Sequence, residues 1–365
     1  MKKLLLASAI AAVSVTAFTA ANAAPTVYGK AFVTVDYVDS DLDWSDEFIA
    51  QDNVRIAEAN ILRRAAGKDD LPFRIDLNDD EVAINSNGSR IGFKGAEPIT
   101  ASTDVTYQME YGVDIDADDS KTLKQRTTYL GLRNDSLGEF RIGNLVSPLD
   151  SVNNVTVTQG YWSNLGVNNT EPTLAEAYTM SDAGRMSNSI LWLAPKYNEM
   201  PLELALMYQT EEDGEDGYAA SLMFDQGTGF TVGVGYDDDL AIDGDILRGT
   251  VTVDLAEMSG LPLTLGALYQ KADFDTTDND EKGFVISAEM GLANFAKPAT
   301  IYAQYNNVSD LAGIEDLDSD QFVVGGKYFY QKNMIAHMYA GYNNTENKNG
   351  ESDLLAVGGG LEYKF

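Results

Sequence analysis

The chain has 365 residues, one histidine, no cysteine and a formal net charge of −32. Disulfides, thiolate metal sites and His-rich catalytic or metal constellations are therefore excluded, and so acidic a chain lacks the basic footprint that nucleic-acid binding requires. Gly (32) and Tyr (19) are plentiful while Pro (9) is scarce, a usage that favours many strands joined by tight turns.

The first element is an export signal. "MKK" is a positive n-region, "LLLASAIAAVSVTAFTA" an apolar core, and Ala21–Ala23 a small-x-small cleavage site. Residues 1–23 are expected to be removed, leaving 24–365 as one domain. No later stretch approaches the roughly 18 apolar residues of a spanning helix.

Beyond Ala24, strict alternation recurs. Val105, Tyr107, Met109, Tyr111 and Val113 share one face, against Thr106, Gln108, Glu110, Gly112 and Asp114. Phe230, Val232, Val234 and Tyr236 likewise oppose Thr231, Gly233, Gly235 and Asp237. A period of two marks strands with one apolar and one polar face. Such segments lie near 27–38, 82–95, 102–115, 122–133, 138–145, 184–195, 200–211, 217–226, 229–238, 245–256, 262–273, 283–293, 298–307, 321–331, 333–343 and 353–365. About sixteen strands near the length of a tilted bilayer crossing, in even number, predict an all-β, transmembrane antiparallel β-barrel. So wide a barrel holds water, so its apolar faces must meet lipid. Tyr37, Tyr111, Tyr208, Tyr236, Phe284, Tyr330 and Phe365 stand where interfacial aromatic girdles are expected.

Connections alternate between short turns and longer acidic runs such as "DDDLAIDGD" and "NNTENKNGESD", the outer-membrane pattern of short turns at one end and long loops at the other. Two segments break the pattern. Residues 39–81 read as a long first loop with a short helix and a basic patch at Arg63, Arg64 and Lys68, a candidate plug or partner contact. Residues 146–183 form a second excursion carrying Tyr161 and Trp162, and folding inward along the wall would shield it and narrow the pore.

Short texts in order along the chain, "VYGKAF" (27–32), "NGSRIGFKGAE" (87–97), "KQRTTYLGLRND" (124–135), "LGEFRIGN" (137–144), "GRMSNSILW" (184–192) and the terminal "GLEYKF", resemble the general trimeric porins of the Gram-negative outer membrane. The resemblance spans nearly all of 24–365, although the 39–81 segment is longer than the family pattern. It implies a sixteen-stranded barrel with the third extracellular loop (146–183) folded into the lumen, a homotrimer, and a C-terminal signal in Leu361, Tyr363 and Phe365 read by the barrel assembly machinery. It also implies a constriction with basic residues on one wall, carried here by Lys30, Arg90, Arg126 and Arg185. The facing acids would come from Asp150, Glu171, Glu176 and Asp182. Parity supports the basic set: Lys30 shares a face with Thr34 and Asp36, and Arg126 with Thr128, opposite Tyr129. The alternative for each arginine is simple pairing with a neighbouring lumen carboxylate.

No catalytic set survives inspection. His337 sits in an alternating strand without an evident serine partner, and "DFDTTDNDEKG" (273–283) lacks the Gly and terminal Glu of a Ca²⁺ loop. No enzyme activity and no cofactor are expected; the metal chemistry in view is loose Ca²⁺ or Mg²⁺ bridging between acidic loops and lipopolysaccharide phosphates. The reading is a passive diffusion channel for ions and small hydrophilic solutes. The alternatives are a substrate-selective porin, for oligosaccharides for example, with an aromatic track at Tyr161 and Trp162, and a non-conducting structural or adhesive barrel. The negative chain suggests cation preference through long-range focusing, although salt screens this beyond about 8–10 Å.

Overall fold

A computed structural model describes residues 24–115, 123–163, 177–196, 201–210, 216–225 and 227–365. The expected signal segment 1–23 lies outside them. The strands are β1 (Thr26–Trp44), β2 (Leu77–Ser86), β3 (Arg90–Thr100), β4 (Thr103–Val113), β5 (Leu123–Asn134), β6 (Gly138–Val146), β7 (Arg185–Leu193), β8 (Leu202–Gln209) and β9 (Gly217–Asp225). They continue as β10 (Phe230–Asp238), β11 (Gly244–Asp254), β12 (Leu263–Phe274), β13 (Asp280–Leu292), β14 (Ala299–Ser309), β15 (Asp318–Gln331), β16 (Met334–Asn347) and β17 (Gly350–Lys364).

Each pairs antiparallel with its neighbour, and β17 closes on β1 from Lys30↔Lys364 to Trp44↔Gly350. β2 and β3 lie end to end along one side of β1: Val33–Leu42 pair with Ser86–Leu77, and Thr26–Lys30 with Lys94–Arg90. They form one wall strand broken at residues 87–89, so the barrel has sixteen strands. The break needs Gly88, at φ +60°. Ser89 Oγ bridges it by accepting from Phe32 N and donating to Phe32 O.

The faces are inverted relative to a protein folded in water. Val35, Leu130, Ile142, Leu222, Leu247, Ile286, Met338 and Val357 point outward and are exposed, while Thr34, Asp36, Gln270, Gln304, Gln321 and Asn343 are buried on the other side. An uninterrupted apolar outer band needs hydrocarbon around it, and a closed ladder leaves no unpaired edge there. The upper limit of the band is marked by hydrogen bonds. Tyr208 donates to Asp216 at 2.5 Å and Tyr236 to Asp245 at 2.7 Å, and Tyr305 and Tyr342 donate to Asp320 and Asp353. Amphipathic rings thus sit where hydrocarbon gives way to water.

Several acidic runs expected as long loops are strand. "NNTENKNGESD" is the tip of the β16–β17 hairpin with only residues 348–349 between strands, and "DDDLAIDGD" shrinks to 239–243. Above the lipid both faces are wet, so polar side chains no longer mark the end of a strand, while the backbone ladder continues. The contrast in loop length is correspondingly smaller than the sequence suggested: "EMSGLP", expected as a short turn, instead houses the helix α3 (Leu255–Ser259).

The excursion expected over 39–81 occupies 45–76, because β1 continues to Trp44 and β2 starts at Leu77. Its helix, Asp46–Ala65, is long rather than short; as the first helix of the chain it is α1. Ser45 caps it, accepting from Phe48 N at 3.3 Å, with Asp46 and Glu47 in the first turn and Arg63 and Arg64 in the last. Two of the three residues of the basic patch are spent locally, Arg63 bonding Asp69 O at 2.6 Å and Arg64 pairing with Asp70. Asn53 and Asn60 each exchange two hydrogen bonds with the returning backbone, at Arg74 and Leu71. The hairpin is held chiefly to itself. Since Leu42 and Leu77 are directly opposed in register, replacing residues 45–75 with a short Gly-Ser turn should leave a folded barrel of unchanged conductance. Loss of the heat-modifiable compact band on a gel would contradict this.

The described parts of 146–183 lie against the polar faces. After the Ser147 cap and the short helix α2 (Pro148–Ser151), the described residues contact β10 to β17 over 147–162 and β16 to β11 over 177–182. Outward, Ser147 donates to Asp237 at 3.1 Å, Ser287 to Val155 O at 2.5 Å, and Val157 N to Gln304 at 2.9 Å. On the return, Tyr178 and Asn343 bond reciprocally, and Ser181 N and Oγ donate to Glu281 at 2.8 and 2.9 Å. Its own Leu149, Val152, Val155, Tyr178 and Met180 are buried against the wall. Glycines on the wall make room: a Cβ on Gly341 would lie 2.5 Å from the Trp162 ring. Trp162 is wholly buried and donates Nε1 to Ala356 O at 3.2 Å. Its ring is an anchor, not the stacking surface expected of an aromatic track.

Candidate pore constriction

Four basic residues meet on the β1–β7 wall. Lys30 and Arg90 face each other across β1 and β3. On β4, Glu110 receives both Arg126 Nε at 2.8 Å and Arg90 Nε at 3.5 Å, with the Tyr28 hydroxyl at 3.0 Å. Arg185, at the start of β7, donates to Thr127 Oγ1 at 3.1 Å, and its electrostatic neighbours are Arg126, Glu110, Asp150 and Arg90. Lys30 has Arg90 and Arg126 among its charged neighbours, and its Nζ lies 5.3 Å from the centre of the Phe32 ring.

One parity assignment is corrected. The β4–β5 register shifts between Met109 and Tyr111, so that Arg126 and Thr127 together oppose Glu110. An extra residue inverts the alternation beyond it. Arg126 reaches the lumen-side carboxylate, but Thr128, opposite the exposed Met109, takes the lipid side, and Tyr129 turns to the polar side beneath the Arg141 guanidinium, 4.6 Å from its ring.

Of the expected acids, Asp150 and Asp182 line one polar hollow together with Asn153, Thr156, Thr158, Gln159 and Ser163. Asp182 accepts from Arg248 Nη2 at 2.7 Å. Burial pushes the Asp150 carboxyl up to about 6 and nearby Asp182 adds to this, while Arg248, Arg185 and Arg126 pull the other way. Glu171 and Glu176 lie outside the described residues.

Glu110 and Arg248 were not singled out by the sequence. Both stand on polar faces of alternating strands, which was the available signal, but alternation does not say which residues of distant strands converge. Among the described residues no three His, Asp or Glu side chains are grouped to hold a metal ion. His337 lies 4.6 Å from the Phe32 ring and 3.8 Å from Glu362.

The comparison that decides the family is a match of residues 7–350 to a family model described as Gram-negative porin. The chain belongs to the Gram-negative porin family. This porin is 24% identical over 301 residues to the major outer membrane protein P.IB of Neisseria meningitidis serogroup B, with 76% of this chain and 83% of that protein covered. Its fold is similar to that of an anion-selective porin from Comamonas acidovorans, at TM-score 0.64 and 15% identity over 94% of this chain and 99% of the other. It is also similar to the trimer form of OmpT, an outer membrane protein of Vibrio cholerae, at TM-score 0.59 and 14% identity over 94% and 99%. The porin is an outer-membrane channel protein.

Proposed function

We propose that this porin passes ions and small hydrophilic solutes by passive diffusion, and that the segment 146–183 sets the narrowest point of the path. The observation that carries the reading is the arrangement just described: polar wall faces crossed by a loop whose Asp150 has Arg126 and Arg185 among its charged neighbours, while Asp182 beside it pairs with Arg248. Opposed rows of charge orient polar solutes and disfavour apolar ones. Lys30, Arg90, Arg126 and Arg185 form the basic side; Asp150, Asp182, Glu171 and Glu176 supply the acidic side. The working form is a homotrimer, exported by a cleaved 1–23 signal and without enzymatic activity. Loose Ca²⁺ or Mg²⁺ bridges tie its acidic rim to lipopolysaccharide. Leu361, Tyr363 and Phe365 act as the insertion signal, in keeping with an outward-facing final strand whose Phe365 exchanges backbone hydrogen bonds with Gly29 at 2.9 and 3.1 Å.

Purified trimers added to a planar bilayer should give stepwise increases in conductance. Liposomes carrying them should swell in sugars at rates that fall steeply with solute size. A folded trimer that yields no steps would instead support a structural barrel.

A further inference from the structure

One carboxylate on the first strand is joined by hydrogen bonds to the far end of the 146–183 segment. Asp36, on the polar face of β1, is wholly buried, and among the described residues it takes part in no ion pair. Burying a carboxylate without a cation is costly unless its lone pairs are met, and here neutral donors meet them. Asp36 Oδ2 accepts from Thr34 Oγ1 at 2.6 Å and from Asn85 Nδ2 at 2.7 Å, and Oδ1 accepts from the Tyr339 hydroxyl at 2.5 Å. Asn87, in the break of the wall strand, donates Nδ2 to Thr34 Oγ1 at 2.7 Å. Both carboxylate oxygens are used as acceptors. An amide could not match this, because one of its ends is a donor.

The route to the loop crosses three strands. Asp36 on β1, Gly358 on β17 and Tyr339 on β16 stand in one row of the sheet. A Cβ on Gly358 would lie 1.8 Å from Asp36 Oδ1 and 3.0 Å from the Tyr339 ring, so the bare glycine lets aspartate and tyrosine meet over it. The hydroxyl gives its proton to Asp36, which leaves its oxygen free to accept. It takes the backbone N–H of Tyr161 at 3.1 Å. A charged acceptor at one end of such a chain strengthens the next bond along it. Gly160, at φ +65°, brings the segment against the Tyr339 ring, where a Cβ would come within 2.2 Å.

We propose that Asp36 is a positioning residue of the channel: acting through Tyr339, it fixes the backbone of the 146–183 segment at Tyr161. This rests on the channel reading above and deepens it, because a residue of β1, outside the segment, takes a share in setting the narrowest point. The neighbouring Trp162 holds the same stretch by its ring and by Nε1 on Ala356 O. That contact keeps the segment on the wall, and the Asp36–Tyr339 pair sets its height and direction there.

The chain has no cysteine, so Thr158→Cys, at a buried position just before this stretch, supplies a single thiol. Its reaction with a charged maleimide reports opening of the segment, whether or not the protein conducts. In folded, heat-modifiable T158C protein, adding D36N or Y339F is expected to speed labelling about tenfold, as for the loss of one buried hydrogen bond to a charged group. D36N/Y339F should be no faster than the faster single variant, because both changes cut one chain of bonds. Single-channel records of D36N and Y339F should show brief sub-levels absent from the wild type. Labelling at the unmodified rate in either single variant overturns the proposal. So does a double variant in which the two effects multiply, since Asp36 would then act independently of Tyr339. Should D36N fail to fold, N85A/N87A takes its place: it withdraws one donor from Asp36 and one from Thr34, and it must show the same non-additivity with Y339F. Faster labelling in variants of a protein that carries no current would keep the positioning role and remove only the channel reading.

Discussion

Replacing Arg248 with methionine is expected to loosen the 146–183 loop and give a larger, noisier single-channel current. Arg248 is fully buried between wall and loop. Its guanidinium donates to Gln270 Oε1 at 2.8 Å on the wall, and to Leu149 O at 3.4 Å and Asp182 Oδ1 at 2.7 Å on the loop. It therefore clips both the outgoing and the returning limbs. Methionine keeps much of the volume, so the cost is electrostatic: removing one partner of a buried pair costs about 3–5 kcal/mol because the other is left uncompensated. The barrel should survive, since its ladder does not use this side chain. The loop retains its anchors at Trp162 and, through Ser181, at Glu281, so movement should centre on residues 148–153 and 182–183. The second variant, R248M/D182N, removes both charges and should recover much of the quiet current. Single-channel recording and limited proteolysis of the loop read the effect. Wild-type current levels, noise and protease resistance in R248M would show that the clip is dispensable.

Lowering the pH from 7 to 5 should raise the anion-to-cation permeability ratio. Burial together with the neighbouring Asp182 holds the Asp150 carboxyl near 6, above its ordinary 3.8. It is mostly ionised at pH 7 and mostly neutral at pH 5, so acid removes a negative charge from the loop wall and leaves the cations opposite less opposed. The charged groups around it are Asp182 on the loop, Arg248 on β11, Arg185 on β7 and Arg126 on β5. Asp150→Asn should display the acid-form ratio at both pH values. The sign for stability follows from the same shift. A carboxyl whose folded pKa is raised binds its proton more tightly when folded, so its contribution declines as pH rises from about 4 through about 6. D150N should therefore not lower the melting temperature at pH 7. A permeability ratio that changes equally with pH in D150N and wild type would assign the titration to another group.

Legibility differed by feature. Strand positions could be read closely, as with 138–145 against the observed Gly138–Val146, or 229–238 against Phe230–Asp238. Lipid contact demands an apolar residue at every second position, and that demand is written locally. Where the lipid ends the signal ends too, which is why the tips of β16 and β17 carry the pattern of a loop in the sequence. Lys30, Arg90, Arg126 and Arg185, which the resemblance groups at one wall, come from one run of neighbouring strands in the sheet. The parity expected for Thr128 and Tyr129 does not hold, because a single extra residue opposite Glu110 inverts the pleat and leaves no mark in the composition.

What the sequence determined by itself is the closed wall: the number of strands, their course across the lipid, which face meets hydrocarbon, and a polar interior. Each of these follows from constraints between residues one or two positions apart. Only the tertiary structure decided which charges meet, because Arg248 finds Asp182 across 66 positions and Trp162 reaches Ala356 across 194. Such encounters depend on register and on the path of a loop, and no local period encodes either.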